Sequence, residues 1–329
     1  TPSSQEDLEK IPMLELSDIK REPAKDYNDV KSVDGIKIVH HNIFTNKIAY
    51  INMSFDTKCV PDELIPYMGL LGSTLSLMDT KNYTYPELTN EININCGGLA
   101  TGTALYSDKV DFSKNTIVYE VKSKALYEKV PFVLGMMEEI MYNTRFDDYK
   151  RLKEIIARIK SRLEASLMGQ GHSIAMLECC AQFSESAYYS DILRGYKYYE
   201  FIKKLDEEFE QNKTQIVDKL NKLVGYIFNK DNVIVSLTAD DEGYDCFVKA
   251  LSAKSCNIKD EHYNTAVRSF IPVNVKTGYT SASQVQYVAR CGNFVKDGYK
   301  YTGALKVLKV IFSYDYLWIN VRVKGGAYG

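Results

Sequence analysis

The sequence predicts an α+β fold in which a mixed β-sheet is covered on one face by a layer of helices. Strand-like segments with alternating apolar residues come first, and a helical block from about residue 124 to 229 follows. A strand of buried character over 232–237 and a helix over 243–251 complete the pattern. We therefore predict one complete α+β domain over residues 21–262, preceded by an N-terminal arm over residues 1–20.

The strands of this domain are identified from their apolar periodicity. Two strands are predicted at 36–41 and 48–55, joined by a turn at Thr45-Asn46-Lys47. In the second strand apolar residues occupy every other position, which is the period of a half-buried strand. These apolar residues are Ala49, Ile51, Met53 and Phe55. Two further strands are predicted at 99–106 and 116–121.

The helices are identified from turn residues and apolar stripes. A helix is predicted to begin at Pro61-Asp62-Glu63 or at Pro66, because proline suits the first helical turn. Its buried side comprises Leu64, Tyr67, Met68, Leu71, Leu75 and Met78. A shorter helix over 83–95 precedes Gly97-Gly98. In the helical block, an apolar stripe at helical spacing ends at Gly169 and Gly171. The stripe comprises Leu152, Ile155, Ile156, Ile159, Leu163 and Leu167.

An aromatic cluster follows the stripe, and it is better explained by core packing than by a cofactor site. The cluster comprises Phe183, Tyr188, Tyr189, Tyr196, Tyr198, Tyr199 and Phe201. At the other end of the chain, the N-terminal arm is polar apart from Ile11-Pro12-Met13-Leu14. We expect this apolar piece to anchor the arm on the surface of the domain.

A second unit, over residues 263–329, repeats features of the first in the same order. The segment 285–290 resembles the strand at 48–53, with Tyr287 in the place of Tyr50. Tyr301-Thr302-Gly303 corresponds to Tyr67-Met68-Gly69, and Gly325-Gly326 to Gly97-Gly98. We therefore predict a duplicated domain whose second copy is truncated at Gly329. Chance similarity between two α+β segments is the alternative.

The end of the second unit carries the candidate site residues. Val321, Arg322 and Val323 alternate as in a half-buried strand, and Gly325-Gly326 would allow another backbone to lie close by. Arg322 offers a fork of hydrogen-bond donors and Tyr328 a phenolic donor. Such donors could hold peptide carbonyls and stabilise a developing oxyanion. The alternative is a solvent-facing arginine and a tyrosine packed at a turn.

Composition and charge argue against several classes of function. The formal net charge of −2 is spread along the chain, and the absence of a basic stripe argues against nucleic acid as a partner. The sequence shows no apolar run long enough to span a bilayer and no signal peptide, so we expect no membrane partner. The seven cysteines lack CxxC spacing, which favours reduced thiols in a reducing compartment, a cytoplasm or an organelle.

Catalytic and metal-binding motifs are also missing from the sequence. The four histidines are His40, His41, His172 and His262, and none has the helical partner and neighbouring acid of a zinc hydrolase motif. We therefore expect no metal ligand and no cofactor in this chain. Phosphate-binding loops of the P-loop type and a Gly-x-Ser-x-Gly elbow are absent as well.

Four stretches of the chain resemble a known family. They are Ile11-Pro12-Met13-Leu14 with Asp18-Ile19, the helix at 64–77, the segment 91–98 and the segment 321–329. Together they are similar to the C-terminal half of zinc metallopeptidases of the pitrilysin/insulinase superfamily, in the presequence protease and falcilysin branch. Their order extends over nearly the whole chain, and the last stretch is the most specific.

The resemblance implies a function that composition does not show. Such enzymes have four related α+β domains in two halves that close around a chamber, and only the N-terminal half binds zinc. The C-terminal half supplies an arginine and a tyrosine to the substrate, and these match Arg322 and Tyr328 here. The resemblance thus implies the third domain and part of the fourth of an endopeptidase for unstructured peptides. Its partners would be the N-terminal half and the peptide, and this chain alone would be inactive.

Two other functions are compatible with the same residues. The parent protein could be a non-catalytic, peptidase-like scaffold or partner subunit that uses the fold for assembly only. Alternatively, the chain could be a helical peptide-binding module that works alone.

Overall fold

The computed structural model describes residues 3–23, 25, 27–111, 113–253, 257–280 and 284–327. Six strands form one mixed sheet in the order β1-β2-β6-β3-β5-β4. The strands are β1 (Asp29–Val33), β2 (Ile36–Asn42), β3 (Ile48–Asp56), β4 (Leu99–Ser107), β5 (Asn115–Leu126) and β6 (Val233–Ala239). Strands β2 and β6 are parallel, and the other neighbouring strands are antiparallel. The predicted α+β class and the mixed sheet are confirmed.

Strand β6 lies between β2 and β3, although β2 and β3 follow each other directly in the sequence. Their connection crosses the carboxyl end of β6, where the backbone N–H of Ile43 donates to the carbonyl of Ala239. The predicted turn is present, and Asn46 and Lys47 have φ of 50° and 63°. The last strand of the domain therefore inserts beside the first ones and joins both ends of the domain in one sheet.

The helices are α1 (Gln5–Glu9), α2 (Ile65–Thr74), α3 (Tyr85–Asn95), α4 (Val130–Tyr142), α5 (Tyr149–Gly169), α6 (Gly171–Ala181), α7 (Glu185–Arg194), α8 (Tyr196–Glu207), α9 (Phe209–Ile227), α10 (Asp241–Ser252) and α11 (Ala304–Ile311). A π-helix, Phe312–Lys324, continues α11. A single 3₁₀ turn, Asp62–Leu64, precedes α2, and Pro66 lies in the first turn of α2. The alternative start at Pro66 is thus the correct one.

The core lies between the sheet and the helices. The predicted alternation holds in β3, since Ala49, Ile51, Met53 and Phe55 are all buried. The ring of Phe228, just after α9, contacts the edges of three other rings. Its centroid lies 5.1 Å from Phe55, 5.5 Å from Tyr119 and 6.1 Å from Tyr142. The predicted buried side of α2 is confirmed, and so are the first two turns of the stripe in α5.

Helix α2 makes close contacts with the sheet and with α8 at two glycines, Gly72 and Gly69. A Cβ atom on Gly72 would lie 3.1 Å from the Cα of Gly102 in β4. A Cβ atom on Gly69 would lie 2.8 Å from the ring of Tyr198. The buried Tyr198 and Tyr189 confirm that the aromatic cluster contributes to the core.

Three predictions outside the α+β domain are wrong in the described residues. Ile11, Met13 and Leu14 are 55%, 81% and 88% exposed, so they do not anchor the N-terminal arm. The segment 285–290 forms no strand, and Val321–Val323, predicted as a strand, lies in the π-helix. Strands need hydrogen-bonded neighbours, whereas a helix satisfies its own backbone. The predicted domain boundaries and the duplication stay predictions.

Candidate functional site

The sheet has one covered face and one open face. Helices pack against the side on which Ile51, Val121 and Leu237 lie, and these side chains are buried. The alternate residues of the same strands point the other way, and most of them are polar. They are Tyr50, Asn52, Ser54, Glu120, Lys122, Lys124, Ser236 and Thr238. The open face is therefore mostly polar, with Ile234 and Leu126 as exposed apolar side chains on it.

A groove of about 460 Å³ runs along this open face, next to the double glycine. We call it the sheet-face groove. It is lined by Tyr50, Ile51, Asn52, Gly97, Gly98, Leu99, Ala100, Lys122, Ser123, Lys124, Ser236 and Thr238. Its volume is within the range of small-ligand pockets, roughly 300–1,000 Å³. It is large enough for several residues of an extended peptide.

Gly97 and Gly98 shape one wall of the groove. The N–H of Gly97 donates to the carbonyl of Lys124 over 2.8 Å, and the hydroxyl of Ser123 donates to the carbonyl of Gly98 over 2.8 Å. Gly98 has φ of +102°, a backbone conformation that residues with a Cβ atom rarely adopt. A Cβ atom on Gly97 would lie 2.7 Å from Cε of Lys124. The missing side chain thus leaves room for the Lys124 stem.

A buried carboxylate, Glu120, binds two residues that line the groove, Lys122 and Asn52. The side chain of Glu120 is 6% exposed and accepts from Lys122 Nζ at 2.6 Å, Asn52 Nδ2 at 2.9 Å and the Tyr106 hydroxyl at 2.9 Å. Burial raises the pKa of Glu120, but these three hydrogen bonds outweigh burial and hold the pKa below its usual value. Glu120 is therefore ionised at neutral pH and fixes Lys122 in place.

The two lysines of the groove differ in their surroundings. Lys122 is bound to Glu120, whereas no described carboxylate lies within ion-pair distance of Lys124. The Lys124 side chain is exposed at the groove wall. It can therefore pair with an anionic group of a ligand at a modest desolvation cost.

The structure describes only one of the two predicted site residues. Arg322 lies in the π-helix, and its guanidinium stacks 4.3 Å from the ring centre of Trp318, one turn earlier. Tyr328 lies outside the described residues. Their joint role therefore stays a prediction. The sequence analysis missed Lys122 and Lys124, although exposed residues alternate with buried ones in the last part of β5, from Val121 to Leu126.

The histidines do not form a zinc site. His40 is buried and bonds to the carbonyl of Ala239, and His41 bonds to Tyr27 and Ser236. His262 pairs with Asp231 at 2.7 Å. Within the residues that the structure describes, no group of three or more His, Cys, Asp or Glu side chains could hold a metal ion. This donor set does not fit zinc. Among the helices that the structure describes, none combines the length and the hydropathy of a membrane span.

Two family models match the chain. One describes the region associated with peptidases of family M16, subfamily C, and it matches residues 1–205. The other is described as "PreP C-terminal domain" and matches residues 278–329. The resemblance to presequence proteases that the sequence predicts is therefore confirmed.

Curated relatives match over nearly the full chain. "Protein HypA" of Clostridium perfringens (strain 13 / Type A) is 39% identical, over 100% of this chain and 34% of the relative. "Presequence protease 1, chloroplastic/mitochondrial" of Arabidopsis thaliana is 28% identical, over 100% of this chain and 30% of the relative. "Presequence protease, mitochondrial" of Drosophila melanogaster is 26% identical, over 97% of this chain and 31% of the relative. The chain spans about a third of the length of these relatives.

A solved structure shares the fold. The crystal structure of a conserved protein from Enterococcus faecalis V583 aligns with a TM-score of 0.51 and 12% identity. The alignment covers 72% of this chain and 54% of that chain. At this identity the likeness supports the fold alone.

Proposed function

Because this chain belongs to the family of regions associated with subfamily C of the M16 peptidases, we propose that it forms the metal-free, C-terminal part of a zinc endopeptidase for unstructured peptides. Its length, about a third of that of the presequence proteases, supports a contribution to a larger enzyme. In this proposal the zinc site lies outside these 329 residues, and this chain forms a wall of the chamber that encloses the peptide.

The observation that carries the proposal is the sheet-face groove on the uncovered side of the sheet. An extended peptide lying there would pass the Gly98 backbone without meeting a side chain, and beside Gly97 it would meet the stem of Lys124. Lys124 would pair with an acidic group of the peptide, and Tyr50 would offer its ring, which is 44% exposed, to an apolar residue. These contacts recognise an extended backbone, an acidic group and an apolar side chain, which many peptide sequences contain. They therefore suit a protease that accepts many sequences.

Arg322 and Tyr328 have a separate role in the proposal. As donors they would hold the peptide backbone and the oxyanion that develops at the scissile carbonyl. In the complete protease, Tyr328→Phe should lower turnover by on the order of 10²–10³, because one oxyanion donor is lost. Arg322→Lys keeps the charge but loses the fork of donors, so it should also be impaired. Unchanged turnover and peptide affinity in both variants would remove this role.

Peptide binding by the chain itself tests the groove. A fluorescently labelled, unfolded acidic peptide is titrated against the wild type, Lys124→Ala and the matched control Lys37→Ala. Lys37 is an exposed lysine of β2 on the same open face, outside the groove. Loss of one partly exposed ion pair should weaken binding about 1.5- to 5-fold in Lys124→Ala, an effect that salt reduces. Equal losses in the two variants would contradict the groove and indicate general charge attraction.

A further inference from the structure

A serine and a histidine share a hydrogen bond on the open face of the sheet. His41 lies near the end of β2 and Ser236 in the middle of β6, and these two strands are parallel neighbours. Nε2 of His41 lies 3.0 Å from Oγ of Ser236. Nδ1 of the same ring lies 3.0 Å from the carbonyl oxygen of Tyr27. Hydrogen bonds therefore connect Ser236 through the imidazole to a backbone carbonyl.

The Tyr27 carbonyl decides the direction of these hydrogen bonds. A carbonyl oxygen can only accept, so Nδ1 carries the proton of the neutral imidazole and donates to Tyr27. Nε2 is then unprotonated and accepts from the Ser236 hydroxyl. A hydroxyl that donates to an imidazole, which is itself oriented by a third group, is the arrangement of an activated nucleophile.

Ser236 also faces open space, because it lines the sheet-face groove. Asn52 lies directly opposite Ser236 on β3, which places their Cβ atoms about 4.5–5.5 Å apart. One amide N–H of Asn52 donates to Glu120, and the structure shows no acceptor for the other among the described residues. This second N–H is a donor for an oxyanion that forms beside Ser236.

We propose that Ser236 and His41 act as nucleophile and general base in the hydrolysis of carboxylic esters bound in the sheet-face groove. This activity is separate from the peptidase role proposed above. The Ser236 oxygen attacks the ester carbonyl carbon, and its proton passes to Nε2 of His41. The C–O bond to the alcohol then breaks, and the alcohol leaves with that proton. Water attacks the acyl-serine in the same way and releases the carboxylic acid and the free serine.

The surroundings of Ser236 favour esters with an aromatic or other apolar group. Tyr50 lies opposite Thr238, two residues after Ser236, and is therefore a diagonal neighbour of Ser236 on the same face. Diagonal neighbours are about 7–8 Å apart between Cα atoms, which is within reach of an aromatic side chain. The Tyr50 side chain is 44% exposed and lines the groove, so its ring can pack on the apolar group of a bound ester.

Covalent labelling tests Ser236 in the unaltered chain. The protein is incubated with a fluorophosphonate, digested with trypsin and analysed by mass spectrometry. In this reaction the serine oxygen bonds to phosphorus and fluoride leaves. Residues 231–249 form one tryptic peptide, in which Ser236 is the single serine. We expect the label on this serine, and a chain without label at Ser236 would overturn the proposal.

Four variants, assayed with 4-nitrophenyl acetate, separate this site from general catalysis by surface groups. Ser236→Ala removes only a hydroxyl and should lose both the label and the hydrolysis above buffer. His41→Gln keeps a polar side chain without a base and should lower kcat/KM by on the order of 10²–10⁴. The controls Ser54→Ala, on the same face outside the groove lining, and the exposed His262→Gln should keep the wild-type rate.

Two results with these variants would contradict the proposal. Wild-type hydrolysis in Ser236→Ala, with its sheet intact by circular dichroism, would assign the reaction to other groups and overturn it. Tyr50→Ala should raise KM with little change in kcat, because the packing on the aromatic group is lost in the ground state and the transition state alike. An unchanged KM would contradict the preference for aromatic esters.

Discussion

The α+β domain and the segment after residue 262 differ in the exposure of their large apolar and aromatic side chains. In the domain, large apolar side chains such as Phe55, Leu71 and Phe228 are completely buried. In the later segment, Tyr299, Tyr314 and Val323 are 68%, 70% and 65% exposed. The difference lies in the partners available along the chain. The domain brings six strands together from residues 29 to 239, whereas the described part of the later segment forms only α11 and the π-helix.

The comparison shows what an alternating pattern can predict. The pattern at 48–55 becomes β3 because β5 and β6 pair with it on its two sides. The shorter pattern at Val321–Val323 has no strand beside it among the described residues and is helical instead. Alternation thus marks the face that a strand would bury, but long-range neighbours decide whether the strand forms.

The largest expected difference between the two regions comes from a pair of phenylalanines. Phe228→Ala removes a fully buried ring that contacts Phe55, Tyr119 and Tyr142, and should lower the free energy of unfolding by about 3–5 kcal/mol. The matched change Phe312→Ala removes a ring that is 48% exposed and should stay within about 0.5 kcal/mol. Urea unfolding followed by circular dichroism measures both.

Two outcomes of the same experiment would contradict this difference between the two regions. A loss of several kcal/mol in Phe312→Ala would mean that the later segment has a core of its own. A small effect in Phe228→Ala would mean that the ring cluster does not stabilise the domain.

The elements of the domain could be predicted from the sequence because they depend on local pattern. The strand β3, the buried side of α2 and the glycines that end α5 all follow from periodicity and turn residues. The position of β6 between β2 and β3 could not be predicted, because no local signal says which strands become neighbours. The exposure of Met13 and Leu14 was missed for a similar reason, since an apolar piece does not identify its partner.

The groove depends on both kinds of information. The double glycine and the polar residues Lys122 and Lys124 are visible in the sequence, although the sequence analysis drew no open face from them. That Lys124 lies across Gly97 depends on the register between β4 and β5, which only the structure provides. The site predicted at Arg322 and Tyr328 rested on the hydrogen-bond donors of these residues and on family resemblance, and the described residues place only Arg322.

A pair of glycine-to-alanine changes, one in each region, should give a difference in stability of intermediate size. A methyl group at Gly69 would lie 2.8 Å from Tyr198 and 2.9 Å from the carbonyl of Leu193. The carbonyl belongs to the backbone of α7 and cannot easily move, so Gly69→Ala should destabilise the domain by about 1–3 kcal/mol despite the better helix propensity of alanine. At Gly303, before α11, a methyl group meets open space.

Gly303→Ala is therefore the matched control for this second pair. Gly303 is the N-cap of α11 and its backbone is in the right-handed helical region, so the poorer capping by alanine and the smaller backbone entropy of its unfolded chain oppose each other, and the net change should stay within about 1 kcal/mol. Thermal unfolding of the two variants gives the difference. A stabilised Gly69→Ala would show that α2 and the α7–α8 corner are packed less tightly than the structure indicates.

The smallest expected effect lies where the two regions touch. Glu178 in α6 is packed between Asp191, Lys197 and Tyr279, and Tyr279 comes from the later segment. Burial, and then the nearby Asp191 carboxylate, raise the pKa of Glu178 in the folded chain, whereas Lys197 opposes this. Ionising Glu178 therefore costs more in the folded state than in the unfolded state. Stability should fall as the pH rises above the unfolded-state pKa of about 4.3.

Glu178→Gln removes this cost, so the variant should match the wild type near the unfolded-state pKa and be more stable at neutral pH. The exposed Glu207→Gln, which loses only a 4.0 Å surface pair with Lys203, should show no such divergence. Urea midpoints across this pH range measure both. If Tyr279→Phe in the same series leaves the divergence unchanged, the pH dependence belongs to the helical layer alone, and the later segment contributes nothing to it. A divergence reduced by that change would instead tie the exposed region to the stability of the packed one.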